Sequence, residues 1–262
     1  MVFERLKQVF GAGGPSVATT LTTVKAQPGG PVSGVVHVIG GSRPVTISQI
    51  AVALSAKVCV EGEDIATASH VTVAKEAVTG SFALAPGEER DFPFRYTLPF
   101  ETPLTTVDGR DFADVELGLR TELAVALAFD SSDLDPIKVE PLPGQAAILK
   151  AFADLGFSLI RSDVERGQIR GVNQALPFYQ EIEFHPAPKF AAAINKVEVT
   201  FLASSLTTQV ILELDRRGGL VGGRDIFGRF VVDHQDIARI DWKGQLDDWI
   251  MESCRRQGLR PF

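Results

Sequence analysis

An all-β protein built from two antiparallel sandwiches is what this 262-residue sequence predicts. Three observations carry the prediction. Apolar residues recur at every second position through most of the chain, Gly and Pro punctuate the runs, and only short segments keep helical spacing. A chain of this length buries enough surface to fold without disulfides or metal.

The elements follow in order. Val2, Phe3, Leu6, Val9 and Phe10 share one face at helical spacing and Gly11 stops the pattern, which predicts a short amphipathic N-terminal helix. From Val17 onward the period is two. Turn signals stand at Pro28-Gly29-Gly30, Gly40-Gly41-Ser42, Pro86-Gly87 and Asp108-Gly109. Ile50, Val52, Leu54, Ala56 and Val58 alternate with smaller or polar residues, as do Val115, Leu117, Leu119, Leu123, Val125, Leu127 and Phe129, so each set predicts a strand with one buried face. The stretch DSSDLDPIKVEPLPG over 130–144 holds three prolines and three aspartates; it predicts a solvated linker and places a domain boundary, dividing the chain into 1–143 and 144–262. Beyond it, Ala147, Ile148, Ala151, Phe152 and Leu155 predict a connecting helix ended by Gly156. Strand patterns resume in FSLIRSDV, FYQEIEF, KVEVTFLA, TTQVILELD, RFVVD and IARIDW, the second sandwich. Leu246, Trp249, Ile250 and Cys254 predict a C-terminal helix, with Arg255 and Arg256 opposing the negative end of its dipole.

Charge narrows the function classes. Glu4, Arg5 and Lys7 interrupt the apolar start MVFERLKQVF, and no later run reaches 18 uncharged apolar residues, so neither a signal peptide nor an integral membrane segment is expected and the chain is placed in the cytoplasm. A net charge of −7 argues against nucleic-acid binding, which needs a cationic surplus, and no helix-turn-helix pattern is present. Cys59 and Cys254 are far apart in sequence and have no metal-binding spacing, so both are expected to be reduced thiols.

Few residues invite chemistry. His37, His70, His185 and His234 are scattered without a second ligand at short spacing. Asp233 and Asp236 flank His234, but a turn between strands explains them through local hydrogen bonds. Asp130, Asp133 and Asp135 lack the glycine and closing glutamate of a calcium loop. The glycine-rich stretches at Gly11 and Arg217 lack the Gly-Lys-Ser/Thr ending that cradles phosphate. No catalytic, metal or cofactor-binding residue is therefore predicted. Asp215, Arg216, Arg217, Arg224 and Arg229 gather guanidinium groups around a glycine-rich hairpin, which predicts a contact for carboxylate or phosphate groups on a partner.

At Leu84 the sequence reads LAPGEERDFPFRYTLPFETPLT. Its Pro-Gly turn, alternating Phe92, Phe94, Tyr96 and Leu98, and the following Pro99 and Pro103 resemble the first domain of the arrestin-like fold. MVFERLKQVFGAGG, AAILKAFADLGF, LPFYQEIEFHP and ILELDRRGGL occur in the order found in the bacterial sporulation-control protein M family, to which nearly the whole chain is similar. The resemblance implies two arrestin-like sandwiches with an N-terminal, a connecting and a C-terminal helix. It implies a non-enzymatic regulatory or scaffold protein of bacterial development or cell division, with protein partners of the cell-division or cytoskeletal kind. Open edge strands, or the N-terminal helix, would permit a homodimer. The alternative is a sandwich that holds a small apolar ligand or lipid, or a weak enzyme around His234.

Overall fold

The computed structural model describes residues 8–9, 13–23, 25–60, 68–125, 128–216 and 226–256. Its chain contacts group into two compact units. The first comprises Met1–Lys57, Ser69–Pro99 and Glu116–Val139; the second comprises Val58–Ala68, Phe100–Val115 and Glu140–Phe262. A sequence reading with one cut at 143/144 does not separate the excursions over 58–68 and 100–115.

The strands in the first unit are β1 (Gln8–Val9), β2 (Ser16–Leu21), β3 (Lys25–Ala26), β4 (Pro31–Ile39), β5 (Val45–Val58), β6 (Ser69–Thr79), β7 (Phe82–Leu84) and β8 (Glu89–Thr97). The hairpin β9 (Thr106–Val107) and β10 (Arg110–Asp111) belongs to the second unit, and β11 (Leu117–Val125), β12 (Ala128–Pro136) and β13 (Lys138–Val139) return to the first. One sheet has the order β1-β2-β4-β8; the other runs β12-β11-β5-β6, with β7 also on β5. Val17, Val36, Val38 and Tyr96 from one sheet and Ile50, Leu54, Leu119 and Leu123 from the other are buried, and the Thr19 and Thr121 hydroxyls meet at 2.6 Å between them. This is the predicted antiparallel sandwich, in which alternation sends every second residue inward.

Three details of the first unit differ from the sequence reading, and in the second unit IARIDW, read as a strand, is a 3₁₀ turn over Ile237–Arg239 that leads into the last helix at Trp242. Gln8 and Val9, which the helical spacing placed in an N-terminal helix, are extended and pair with Val17 and Ser16; the rest of that predicted helix lies outside the described residues. The aspartate-rich stretch is a strand rather than a bare linker, because Gly118–Val125 of β11 offers a backbone ladder to which β12 adds as the outermost strand, and ladder bonds ignore side-chain polarity. On β5, Ala51, Ala53 and Ser55 are as buried as Ile50, Val52 and Leu54, so this central strand is covered on both faces and the small residues are those of the second face.

The second unit continues with α1 (Pro143–Leu155), β14 (Ser158–Arg166), β15 (Phe178–His185), β16 (Ile194–Ala203), β17 (Thr207–Arg216), β18 (Ile226–Asp233), a 3₁₀ turn at Ile237–Arg239 and α2 (Trp242–Arg256). Pro143 opens α1, Gln145 Oε1 accepts from the Leu142 N–H, and Gly156 closes it at φ 92° in the left-handed region. The five strands form one antiparallel meander in chain order. Both helices lie on the same face of it. Phe152 of α1 stacks on Phe184 at 5.0 Å, Trp242 of α2 lies over Phe230 at 6.1 Å, and Gly228 leaves room for the Trp249 ring, where a Cβ would stand 1.8 Å from the indole. Alternation then turns Glu181, Glu198, Ile211, Glu213, Phe227 and Arg229 to the opposite face.

Candidate functional site on the five-stranded sheet

On that helix-free face lies a cavity of about 730 Å³ lined by Ile169, Arg170, Tyr179, Glu181, Glu198, Thr200, Ile211, Glu213, Phe227, Gly228 and Arg229. The meander explains its acidic floor. Glu198 of β16 stands directly opposite Glu213 of β17, and Glu181 of β15 is their diagonal neighbour, so one carboxylate oxygen from each lies within 4.8 Å of the others. Like charges placed directly across a ladder repel.

Cations relieve only part of the repulsion. Lys196, two residues before Glu198 on the same face, binds Glu198 and lies 3.5 Å from Glu183; Arg161 Nη2 bonds Glu183 at 2.9 Å and Asp163 at 3.0 Å. Burial works against the ionised form of Glu183, but the Arg161 hydrogen bond and the Lys196 charge outweigh it and hold its carboxyl below the ordinary range. Glu181 has less help, the Lys196 charge alone favouring its ionised form. Among the described residues no hydrogen bond reaches its carboxyl, and burial, followed by the charges of Glu198, Glu165 and Glu213, pushes it up to about 8. At neutral pH this group holds a proton, so the cluster lowers its own charge. Three carboxylates are the donor type that suits a hard cation such as calcium or magnesium.

The cavity rim is a fixed loop. Gln174 Nε2 donates to the carbonyls of Gly167, Leu176 and Phe178 while its Oε1 accepts from the Ile169 N–H, and Glu101 accepts the N–H groups of Ala175 and Leu176. Arg229 reaches this loop from β18, donating to the Gly171 carbonyl at 2.7 Å and the Arg170 carbonyl at 3.0 Å. The sequence-predicted cluster is therefore only partly placed. Asp215 lies near the end of β17 with Asn195 Nδ2 at 3.4 Å, Arg216 ends that strand, and Arg217 and Arg224 lie outside the described residues.

The histidines stay apart. His37 pairs with Asp91 at 2.7 Å, His70 lies 3.3 Å from Glu116, His185 is exposed at the end of β15, and His234 Nε2 meets the Thr208 hydroxyl at 3.0 Å. Asp233 uses Oδ1 to accept the Gln235 N–H, the local turn bond expected of it. Sequence reasoning missed the glutamates because they are far apart in the chain. The available signal was glutamate at outward positions of three successive strands, in EIE, VEV and LEL, which a meander brings side by side.

Two units rich in antiparallel sheet, one of them with a mixed-charge outer sheet face, define a class of mostly-β protein. Among the described residues no helix is long and apolar enough to cross a membrane. The chain belongs to the SpoOM protein family, whose sequence profile matches residues 3–218. It is 36% identical over 222 residues to the sporulation-control protein spo0M of Bacillus subtilis, covering 84% of this chain and 83% of that one. The crystal structure of Spo0M from Bacillus subtilis superposes with a TM-score of 0.76 at 29% identity, covering 92% of this chain and 99% of that chain.

Proposed function

We propose that this protein is a cytoplasmic, non-enzymatic regulator of the sporulation-control type that works by contacting other proteins. The observation that carries the reading is the near whole-chain similarity to the Bacillus subtilis sporulation-control protein. The exposed Phe227 and Val231, 66% and 62% accessible, support contact as the mode of action, since large apolar side chains left in water on one strand favour a partner. Arg216, Arg217 and Arg224 of the neighbouring hairpin, with Asp215 and Arg229 at its base, offer guanidinium groups to carboxylates of a cell-division or cytoskeletal partner.

The reading of a small apolar ligand gains little from the cavity on the second sheet, whose floor is three carboxyl groups. An acid–base centre at His234 gains little either, because the Thr208 hydroxyl and the turn account for its surroundings. The test is expression of this chain in Bacillus subtilis lacking its own spo0M. Spore yield moving toward that of the parent strain is expected, and a triple charge reversal at Arg216, Arg217 and Arg224 is expected to weaken the effect. No change in spore yield at matched protein level would overturn the proposal.

A further inference from the structure

β18 is the last strand of the five-stranded sheet, and among the described residues the one backbone hydrogen bond at its outward edge is the turn bond from the Asp236 N–H to the Asp233 carbonyl at 3.1 Å, which leaves the edge at Phe227, Arg229 and Val231 open. Two other edges are protected. β14, at the far side of the same sheet, is bridged by Cys59, whose N–H donates to the Val164 carbonyl and whose carbonyl accepts from the Arg166 N–H, both at 2.8 Å. β6, the outermost strand of one sheet in the first unit, is broken by Ala74 at φ 50°. β18 has neither device. It runs eight residues without Pro and exposes Phe227 and Val231, the composition that natural edge strands avoid unless they are paired.

Its outer face also has a self-complementary order. Phe227, Arg229, Val231 and Asp233 share that face by alternation. A two-fold axis through Val231 in an antiparallel pair sets Val231 against its own copy. The same axis sets Arg229 against Asp233 of the second copy, twice. Both side chains have capacity left: Arg229 uses two of its donors on the Arg170 and Gly171 carbonyls, and Asp233 uses Oδ1 alone. An axis through Phe230 would instead place Phe227 against Asp233 and Arg229 against Val231, and loses both charge pairs.

We infer that β18 is a self-association edge, at which a second copy of this chain adds antiparallel about Val231 and joins the two five-stranded sheets into one of ten strands. The inference deepens the reading of a protein that works through protein contacts and rests on it. β18 lies beyond residues 3–218, the part that matches the family profile.

The test uses the full-length chain. Sedimentation velocity at tens of micromolar should give a dimer. Val231→Cys should form a disulfide between copies under mild oxidation, because directly opposed Cα atoms stand about 4.5–5.5 Å apart, inside disulfide reach. Phe227→Cys should not, its two copies being displaced by roughly 27 Å along the strands. Arg229→Asp or Asp233→Arg alone should raise the dimer dissociation constant at least tenfold with an unchanged circular dichroism spectrum, and the double variant should restore it. A monomeric wild type, a Phe227→Cys crosslink in place of the Val231→Cys one, or a double variant as weak as the singles would overturn the inference. A monomer would leave the sporulation test intact, and a dimer with no effect on spore yield would remove only the functional reading.

Discussion

Replacing Glu181 by Gln should stabilise the second unit in alkaline solution and do nothing in acid. In the fold this carboxyl ionises at about 8, against an ordinary value of 4.5, because it is buried and faces Glu198, Glu165 and Glu213. The unfolded chain loses the proton near 4.5. Below that pH both states are protonated and the group costs nothing; as pH rises from 4.5 to 8 only the unfolded state has ionised, so native stability falls; above 8 the full cost is present. The gap between the two values corresponds to about 5 kcal/mol at most, and water reaching a half-buried side chain reduces this to about 2–3 kcal/mol. Glu181→Gln keeps the shape and removes the charge. Urea unfolding followed by tryptophan fluorescence reports on this unit, since the two tryptophans, Trp242 and Trp249, both lie in α2. A gain of about 2–3 kcal/mol at pH 9 with none at pH 4 is expected. An equal gain at both pH values, or none at pH 9, would refute the reasoning.

Other substitutions follow from local geometry. Gly228→Ala would put a Cβ 1.8 Å from the Trp249 ring, and should cost about 2–3 kcal/mol in the same fluorescence assay with a shifted emission maximum. Ala74→Gly should stabilise the first unit by up to about 1 kcal/mol in urea unfolding followed by circular dichroism, because the left-handed backbone at φ 50° suits glycine. Tyr96→Phe should cost about 1 kcal/mol there, since the buried Tyr96 hydroxyl donates to the Ala74 carbonyl at 2.8 Å and that acceptor would be left unpaired.

Much of the architecture was legible because it rests on periodicity. The alternation in β5 and β11 and the helical spacing ended by Gly156 are local signals, and each returned the predicted element. What depends on pairing between distant segments was not legible. Gln8 and Val9 have helical spacing yet pair with Val17 and Ser16, and the aspartates of β12 look like a linker because an outermost strand takes its order from its neighbour's backbone. The same holds for function. The arginine-rich hairpin stood out because its residues are adjacent, whereas Glu181, Glu198 and Glu213 meet only through strand register, and the open edge of β18 emerges only when the strand order is known.

Crosslinking of the intact chain inside its own cells, followed by mass spectrometry, asks whether this protein acts by contact. Reproducible crosslinks from β18 and the adjoining arginine hairpin, to a second copy and to at least one other protein that the triple arginine reversal removes, are the predicted result. A wild-type chain that yields no protein crosslink above the level of an unrelated control would contradict it.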